Sequence, residues 1–343
     1  MKGERLILAG DIGGTKTYMA LYALSAGTLA PVRESVFSND RYGGPEVIMG
    51  EFLKEGEARR IEGAALGLAC PIIGNRCTLT NLGWVVDGEE LKKRFGLKKL
   101  GLINDLEALG WGVGLLGKAD LFVLQEGAQR PGNAALIAAG TGLGEAILVG
   151  DGEDFRVSAS EGGHTDFGPR NALEVELLQY LMPRYGHVSY ERIVSGPGLA
   201  NIYEFLLAKN KRKTPERLRM RMEAEGAAPV ISEEAINGTD EDCKEALGLL
   251  VSIYGAEAGN LALKSLSIAG VYVGGGIAPK ILEALKIGGF LEAFRDKGRF
   301  RDFMAGIPVH VILNDRTGLM GAASYAALLA GERAERITGA KGP

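Results

Sequence analysis

The sequence predicts an α/β or α+β protein built as two lobes, and three observations predict it. Apolar strand-like runs and helical patterns mix along the whole chain. At 343 residues the chain is long enough for two lobes, each with its own core. A glycine-rich turn between two apolar runs also occurs twice, about one domain length apart.

The first of these turns is Asp11-Ile12-Gly13-Gly14-Thr15-Lys16-Thr17, entered by the apolar run Leu6–Ala9 and left by Tyr18–Tyr22. That order reads as strand, tight turn, strand. Further strands are expected at Ala64–Ala69 and Leu100–Ile103. The second turn, Gly140-Thr141-Gly142-Leu143-Gly144, lies between Ala134–Ala139 and Ala146–Val149. A helix is expected from about Asp240 to Leu266, with apolar residues at Ala246, Leu249, Leu250, Ile253 and Tyr254. Gly255 and Gly259 lower its propensity, so a closely packed partner is expected there. A third glycine cluster, Gly274-Gly275-Gly276, follows Val271–Val273, and Pro279 reads as the start of a helix over 279–286. A strand at Val309–Leu313 and an alanine-rich helix from Gly318 to Ala330, stopped by Gly331, complete the series. Residues 332–343 are polar and read as a flexible tail.

Composition narrows the function. A net charge of −4 argues against nucleic acid as the main partner, which calls for a basic surface. No uncharged apolar stretch reaches membrane-helix length, and the apolar run before Asp11 is too short for a secretory signal core. Cys70, Cys77 and Cys243 are too few and too scattered for a disulfide framework. These features point to a reduced, cytoplasmic, soluble protein that does not associate with membranes.

The first turn is the strongest chemical signal. Its glycines remove side chains where backbone amides must come close to something, and exposed amides bind anions such as phosphate. Asp11 beside a phosphate makes sense only with a cation between them, so the turn points to a magnesium nucleotide. Neither turn fits the Walker pattern, and the second misses the dinucleotide spacing. A plain hairpin accounts for either turn alone, but less well for two turns and a third glycine cluster. Asn104-Asp105 ends the run Leu100–Ile103, where open α/β sheets bind ligands; Asp105 could equally cap the following helix. Glu161-Gly162-Gly163-His164-Thr165-Asp166 gathers ionisable groups around two glycines, with no cysteine cluster nearby to make a zinc site. Glu191 precedes the turn Ser195-Gly196-Pro197-Gly198, while His187 and His310 read as a turn residue and a strand residue. Phosphoryl transfer needs positioning, a cation and one carboxylate to take a hydroxyl proton; Asp105 suits the last role if it faces the ligand.

Together these motifs resemble the bacterial glucokinases, the branch of the hexokinase and actin-like ATPase superfamily that lacks a zinc-binding cysteine motif. The resemblance rests on Gly10-Asp11-Ile12-Gly13-Gly14-Thr15, Ala69-Cys70-Pro71-Ile72, Thr80-Asn81, Ile103-Asn104-Asp105 and Gly140-Thr141-Gly142-Leu143-Gly144. It continues through Glu161-Gly162-Gly163-His164, the run from Glu191 to Gly198, Gly274-Gly275-Gly276-Ile277 and Lys297-Gly298-Arg299-Phe300. One position departs: Lys16 stands where this branch usually has Asn, and the zinc-containing sugar kinases and repressors often carry Lys there.

The resemblance implies a two-lobed actin-like ATPase (ribonuclease H-like) fold with the active site in the interdomain cleft. The smaller α/β domain would hold residues 1–115 with about 314–331, and the larger α+β domain residues 116–313. It implies ATP-dependent phosphorylation of glucose at the 6-hydroxyl, with Mg²⁺, in a cytoplasmic homodimer. Asp105 would be the general base. Asn104, Asp105, Glu161, His164 and Glu191 would bind the sugar. Gly10, Asp11, Ile12, Gly13, Gly14, Thr15, Gly140, Thr141 and Gly142 would hold the phosphates, Gly275 would line the adenosine, and Asp11 would face Mg²⁺ through water. A kinase for another hexose or an N-acetylhexosamine is the alternative. A sugar-sensing regulator fits less well, since only about five residues precede the first strand and leave no room for a DNA-binding module.

Overall fold

The computed structural model describes residues 5–128, 130–151 and 154–338. Its elements in chain order begin with β1 (Arg5–Ile12), β2 (Lys16–Ser25), β3 (Thr28–Ser38), α1 (Pro45–Phe52), β4 (Ile61–Leu68), β5 (Arg76–Leu79) and β6 (Trp84–Asp87). Next come α2 (Gly88–Phe95), β7 (Leu100–Asn104), α3 (Asp105–Val113), β8 (Leu121–Gln125), β9 (Ala134–Ala139), β10 (Leu143–Asp151) and β11 (Asp154–Ser160). A helical stretch follows: α4 (Ala172–Tyr185), α5 (Gly196–Lys209), α6 (Glu216–Glu225), α7 (Ala227–Ile236) and α8 (Glu241–Ser265). The chain ends with β12 (Gly270–Gly274), α9 (Leu282–Lys286), α10 (Gly289–Arg295), α11 (Arg301–Ala305), β13 (Val309–Ile312), α12 (Thr317–Leu329) and β14 (Arg336–Ile337).

Two compact units result, one of residues 1–120, 154–159 and 314–343, the other of 121–153 and 160–313. In the first unit the strand order is β14-β3-β2-β1-β4-β7. Strands β1 and β2 form an antiparallel hairpin, while β4 and β7 run parallel to β1. The second sheet, ordered β11-β10-β9-β12-β13-β8, repeats this plan: β9 and β10 form the hairpin, and β12 and β13 run parallel to β9. The two glycine turns therefore occupy equivalent places in two like sheets. Parallel strands covered on both faces should be apolar throughout, and β9, Ala134–Ala139, is buried at every position.

Helix α8 crosses the core of the second unit. Asp240 caps it, accepting a hydrogen bond from the Cys243 amide, and Leu266 ends it in the left-handed region. The closely packed partner expected at its glycines is α10: a Cβ on Gly255 would lie 2.0 Å from the Phe290 carbonyl oxygen. This helix is also long and apolar enough to cross a membrane by composition, but 78% of that window is buried inside the protein. It is a core helix.

Three expectations are corrected. Helix 279–286 shortens to α9, because the amides of Lys280 and Ile281 both bond to the Ile277 carbonyl in a turn that holds Pro279. The polar tail does not fray over 332–338. The Glu332 carboxylate accepts from the Gly27 amide at 2.8 Å and pairs with Arg5, and β14 lies parallel to β3; residues 339–343 lie outside the described residues. Cys70 and Cys77 are not reduced thiols but form a disulfide, because the loop after β4 and strand β5 bring their Cα atoms within 6.3 Å. Cys243 is a buried free thiol.

Candidate functional site

In the first unit the parallel register sets the chemistry at one end of the sheet. Ile12 pairs with Leu68, and Leu68 with Asn104, so β1, β4 and β7 end together with Asp11 and Asn104 at that edge. Gly10 and Ile12 are buried within β1, and the exposed tip is Gly14, Thr15 and Lys16. The Gly13 amide donates to the Lys16 carbonyl at 3.0 Å. Lys16 begins β2 with an exposed side chain.

A residue that sequence reasoning missed holds this turn. Asn39, buried just after β3, donates from Nδ2 to the Gly13 carbonyl at 2.8 Å and accepts from the buried Thr17 hydroxyl at 2.7 Å. Its amide donates to the Thr15 carbonyl at 2.9 Å. Nothing in the sequence ties Asn39 to a turn more than twenty positions earlier; only the β2–β3 pairing, Lys16 to Ser38, brings them together.

Asn104 is the N-cap of α3, its Oδ1 accepting from the Leu106 amide at 2.8 Å, while Nδ2 donates to the Cys70 carbonyl at 3.4 Å. Capping therefore falls to Asn104 as well as to Asp105, whose Oδ1 accepts from the same amide at 2.9 Å. The charge of Asp105 reaches Asp11 and influences its ionisation. Burial and the Asp105 charge raise the Asp11 carboxyl to about 6, and Arg316 opposes them. Arg316, another residue the sequence did not single out, lies over the Tyr18 ring at 4.1 Å and bonds Glu34 at 3.1 Å.

In the second unit, Gly140, Thr141 and Gly142 form the tip between β9 and β10, closed by the Gly140 amide on the Gly142 carbonyl at 2.8 Å. Gly275, at the end of β12, has φ +81°, and a Cβ there would lie 2.4 Å from the Ala139 carbonyl oxygen. Only glycine meets both demands. The Gly275 turn therefore packs directly on the strand that feeds Gly140.

Glu161, His164 and Glu191 converge. His164 lies 3.9 Å from Glu161 through Nε2 and 3.9 Å from Glu191 through Nδ1. Glu191 Oε2 also accepts from the Leu143 amide at 3.0 Å, joining the acidic group to the second glycine turn. His187, which the sequence offers only as a turn residue, holds the loop from outside: Nε2 lies 3.0 Å from the His164 carbonyl and Nδ1 3.2 Å from Asp166. His310 is a strand residue, stacked on Tyr272. No cluster of three metal-ligating side chains occurs among the described residues.

Carboxylates and an imidazole directed at one region suit a polyol with many hydroxyls, and backbone-lined turns suit phosphates. Comparison with known proteins points the same way. The glucokinase family profile matches residues 8–329. The chain is 42% identical to a glucokinase of Nostoc sp. over 340 residues, covering 94% of this chain and 99% of that protein. It is 42% identical to a glucokinase of Synechocystis sp., covering 93% and 97%. The crystal structure of a glucokinase from an Antarctic psychrotroph superposes with a TM-score of 0.83 at 30% identity, covering 94% of this chain and 99% of that one.

Proposed function

The chain belongs to the glucokinase family and has its actin-like ATPase fold, and from that premise we propose how its residues divide the work. The protein is an ATP-dependent glucose kinase that makes glucose 6-phosphate. Asp105 takes the proton of the 6-hydroxyl as that oxygen attacks the terminal phosphorus of ATP, and the bond from that phosphorus to the bridging oxygen breaks to release ADP. Asn104, Glu161, His164 and Glu191 hold the other hydroxyls. A site that hydrogen-bonds each hydroxyl rejects sugars that leave one of its acceptors unpaired.

The backbone amides of Gly14–Thr15 and Thr141–Gly142 bind the phosphates, the Gly13 and Gly140 amides closing their own turns, and Gly275 backs the adenosine. Asp11 is the residue that would hold Mg²⁺, through water. The cation would neutralise phosphate charge, leaving the protein to position the reactants. Asp11 fits that duty: its carboxyl is ionised at neutral pH, yet burial and Asp105 make that charge costly, so a cation nearby would be welcome. The observation that carries the reading of Asp105 is its place at the start of α3, directly after β7, at the sheet edge where β1 ends and the first glycine turn opens. The cytoplasmic homodimer belongs to the same proposal, and light scattering tests its assembly state.

The test is coupled ADP release with a panel of sugars and phosphate donors. Glucose with ATP should give the highest kcat/KM. A higher value for an N-acetylhexosamine would replace the substrate assignment.

A further inference from the structure

Beneath the acidic group of the second unit lies a pair of carboxyls that phosphoryl transfer does not call on. Glu145 on β10 and Glu257 on α8 are 2% and 0% exposed and lie in hydrogen-bonding contact. Glu145 Oε1 has no hydrogen-bond donor among the described residues, and Glu257 Oε1 meets only the Lys264 ammonium, at 3.6 Å, beyond hydrogen-bond distance. Two carboxyls in contact within a core repel unless a proton lies between them, and a proton on Glu145 shared with Glu257 relieves that repulsion.

The pair touches both arms of the acidic group. A Cβ on Gly162 would lie 1.9 Å from Glu145 Oε2, so the backbone of the Glu161–His164 segment rests directly on this carboxyl. On the other side, Glu257 Oε2 accepts from Asn260 Nδ2 at 2.8 Å, and Asn260 bonds the Tyr190 hydroxyl at 3.1 Å, next to Glu191. The Tyr190 amide donates back to the Thr165 carbonyl at 3.1 Å.

We infer that Glu145 and Glu257 form a proton-sharing pair that positions the Glu161–His164 segment and Glu191, and so sets the affinity for glucose. This rests on the reading of those residues as the sugar site. Glu145 carries the proton. Burial and Glu257 push its carboxyl up to about 8, with Lys264 opposing, so it is neutral at pH 7. Other charged and titratable groups face the pair. Tyr254, whose hydroxyl accepts from the Ala139 amide at 3.2 Å, lies within electrostatic reach of Glu145, and Lys264 Nζ is 3.6 Å from Glu257 Oε1. Lys297 Nζ donates to the Asn260 Oδ1 and Ala256 carbonyl oxygens at 2.7 and 2.9 Å, and burial lowers it to about 8 as well.

Above that pH, loss of the shared proton leaves two facing carboxylates that push the loop out of place. The wild-type KM for glucose should therefore rise about tenfold from neutral pH to about one unit above the titration, with kcat changing much less. Glu145→Gln keeps a neutral group that donates toward Glu257, so its alkaline rise in KM should vanish. Glu145→Ala should raise the KM for glucose at every pH, again without a matching loss of kcat.

A wild-type KM that stays flat to about one unit above the titration overturns the inference whether or not any variant folds. So does an alkaline rise that persists in Glu145→Gln, which would assign the titration to Lys297 or another group. Glu161→Gln and His164→Ala separate the two layers of argument. If they weaken glucose binding while Glu145 variants do not, only the pair falls. If they leave glucose binding unchanged, the sugar site itself is misassigned.

Discussion

Replacing Asn39 with alanine tests how the first glycine turn is held. The change removes two side-chain hydrogen bonds, to the Gly13 carbonyl and from the Thr17 hydroxyl, and spares the backbone bond from Asn39 to Thr15. Thr17 is completely buried, so its stranded hydroxyl costs about 1–3 kcal/mol. The Gly13 carbonyl is only half-buried and can turn to water, so that bond is worth about 0.5–1.5 kcal/mol. Asn39→Ala should therefore lose roughly 2–4 kcal/mol in urea unfolding at an unchanged m-value. Its KM for ATP should rise more than its KM for glucose, because the proposed function gives this turn to phosphate. Adding Thr17→Val removes the stranded group and should restore part of the loss. A loss below about 1 kcal/mol, or a double variant as unstable as the sum of the single ones, would refute the reasoning.

Two further predictions concern ionisation and crosslinking. The Asp11 carboxyl is raised from 3.8 to about 6, so the folded state holds its proton more tightly than the unfolded chain. Its contribution to stability then falls as pH rises from about 4 to 6 and levels off above that. Asp11→Asn should match wild type in urea unfolding at the acid end of this window, exceed it at neutral pH, and lose magnesium-nucleotide use; equal stability at neutral pH would contradict the buried-charge argument. Reduction of Cys70–Cys77 closes no new contact but frees a short loop, so Cys77→Ser or a thiol reductant should lower stability by about 2 kcal/mol. Urea midpoints with and without reductant measure it, and coincident curves would deny the crosslink a structural role.

What the sequence reveals here follows from how local each cause is. The glycine turns are legible because close backbone approach selects glycine at positions adjacent in the chain, as Gly13-Gly14 and Gly140 to Gly144 show. Helix α8 is legible because Asp240 caps it and its apolar positions recur at helical spacing. Even the partner of Gly255 could be expected, though not its identity as α10. The supports of the site are less accessible. Asn39 acts through strand pairing, and Glu145 looks like one polar residue in a strand until α8 brings Glu257 against it. His187 reads as a loop residue until the fold sets it under the His164 carbonyl. Cys70 and Cys77, seven positions apart, carry no pattern that distinguishes a crosslink from two thiols. The last strand, β14, is two residues long, too short for any periodicity to announce it.

The central claim is that Asp105 removes the proton from the 6-hydroxyl of glucose, and Asp105→Asn tests it most directly. The variant keeps a side-chain oxygen for the Leu106 amide, which Asn104 also caps, so α3 and the fold should persist by circular dichroism and urea unfolding. Glucose binding measured by calorimetry should weaken only modestly, because an amide still hydrogen-bonds a hydroxyl. In the coupled ADP-release assay kcat should fall by about 10²–10⁴. A folded, glucose-binding Asp105→Asn enzyme with near wild-type kcat would contradict the account.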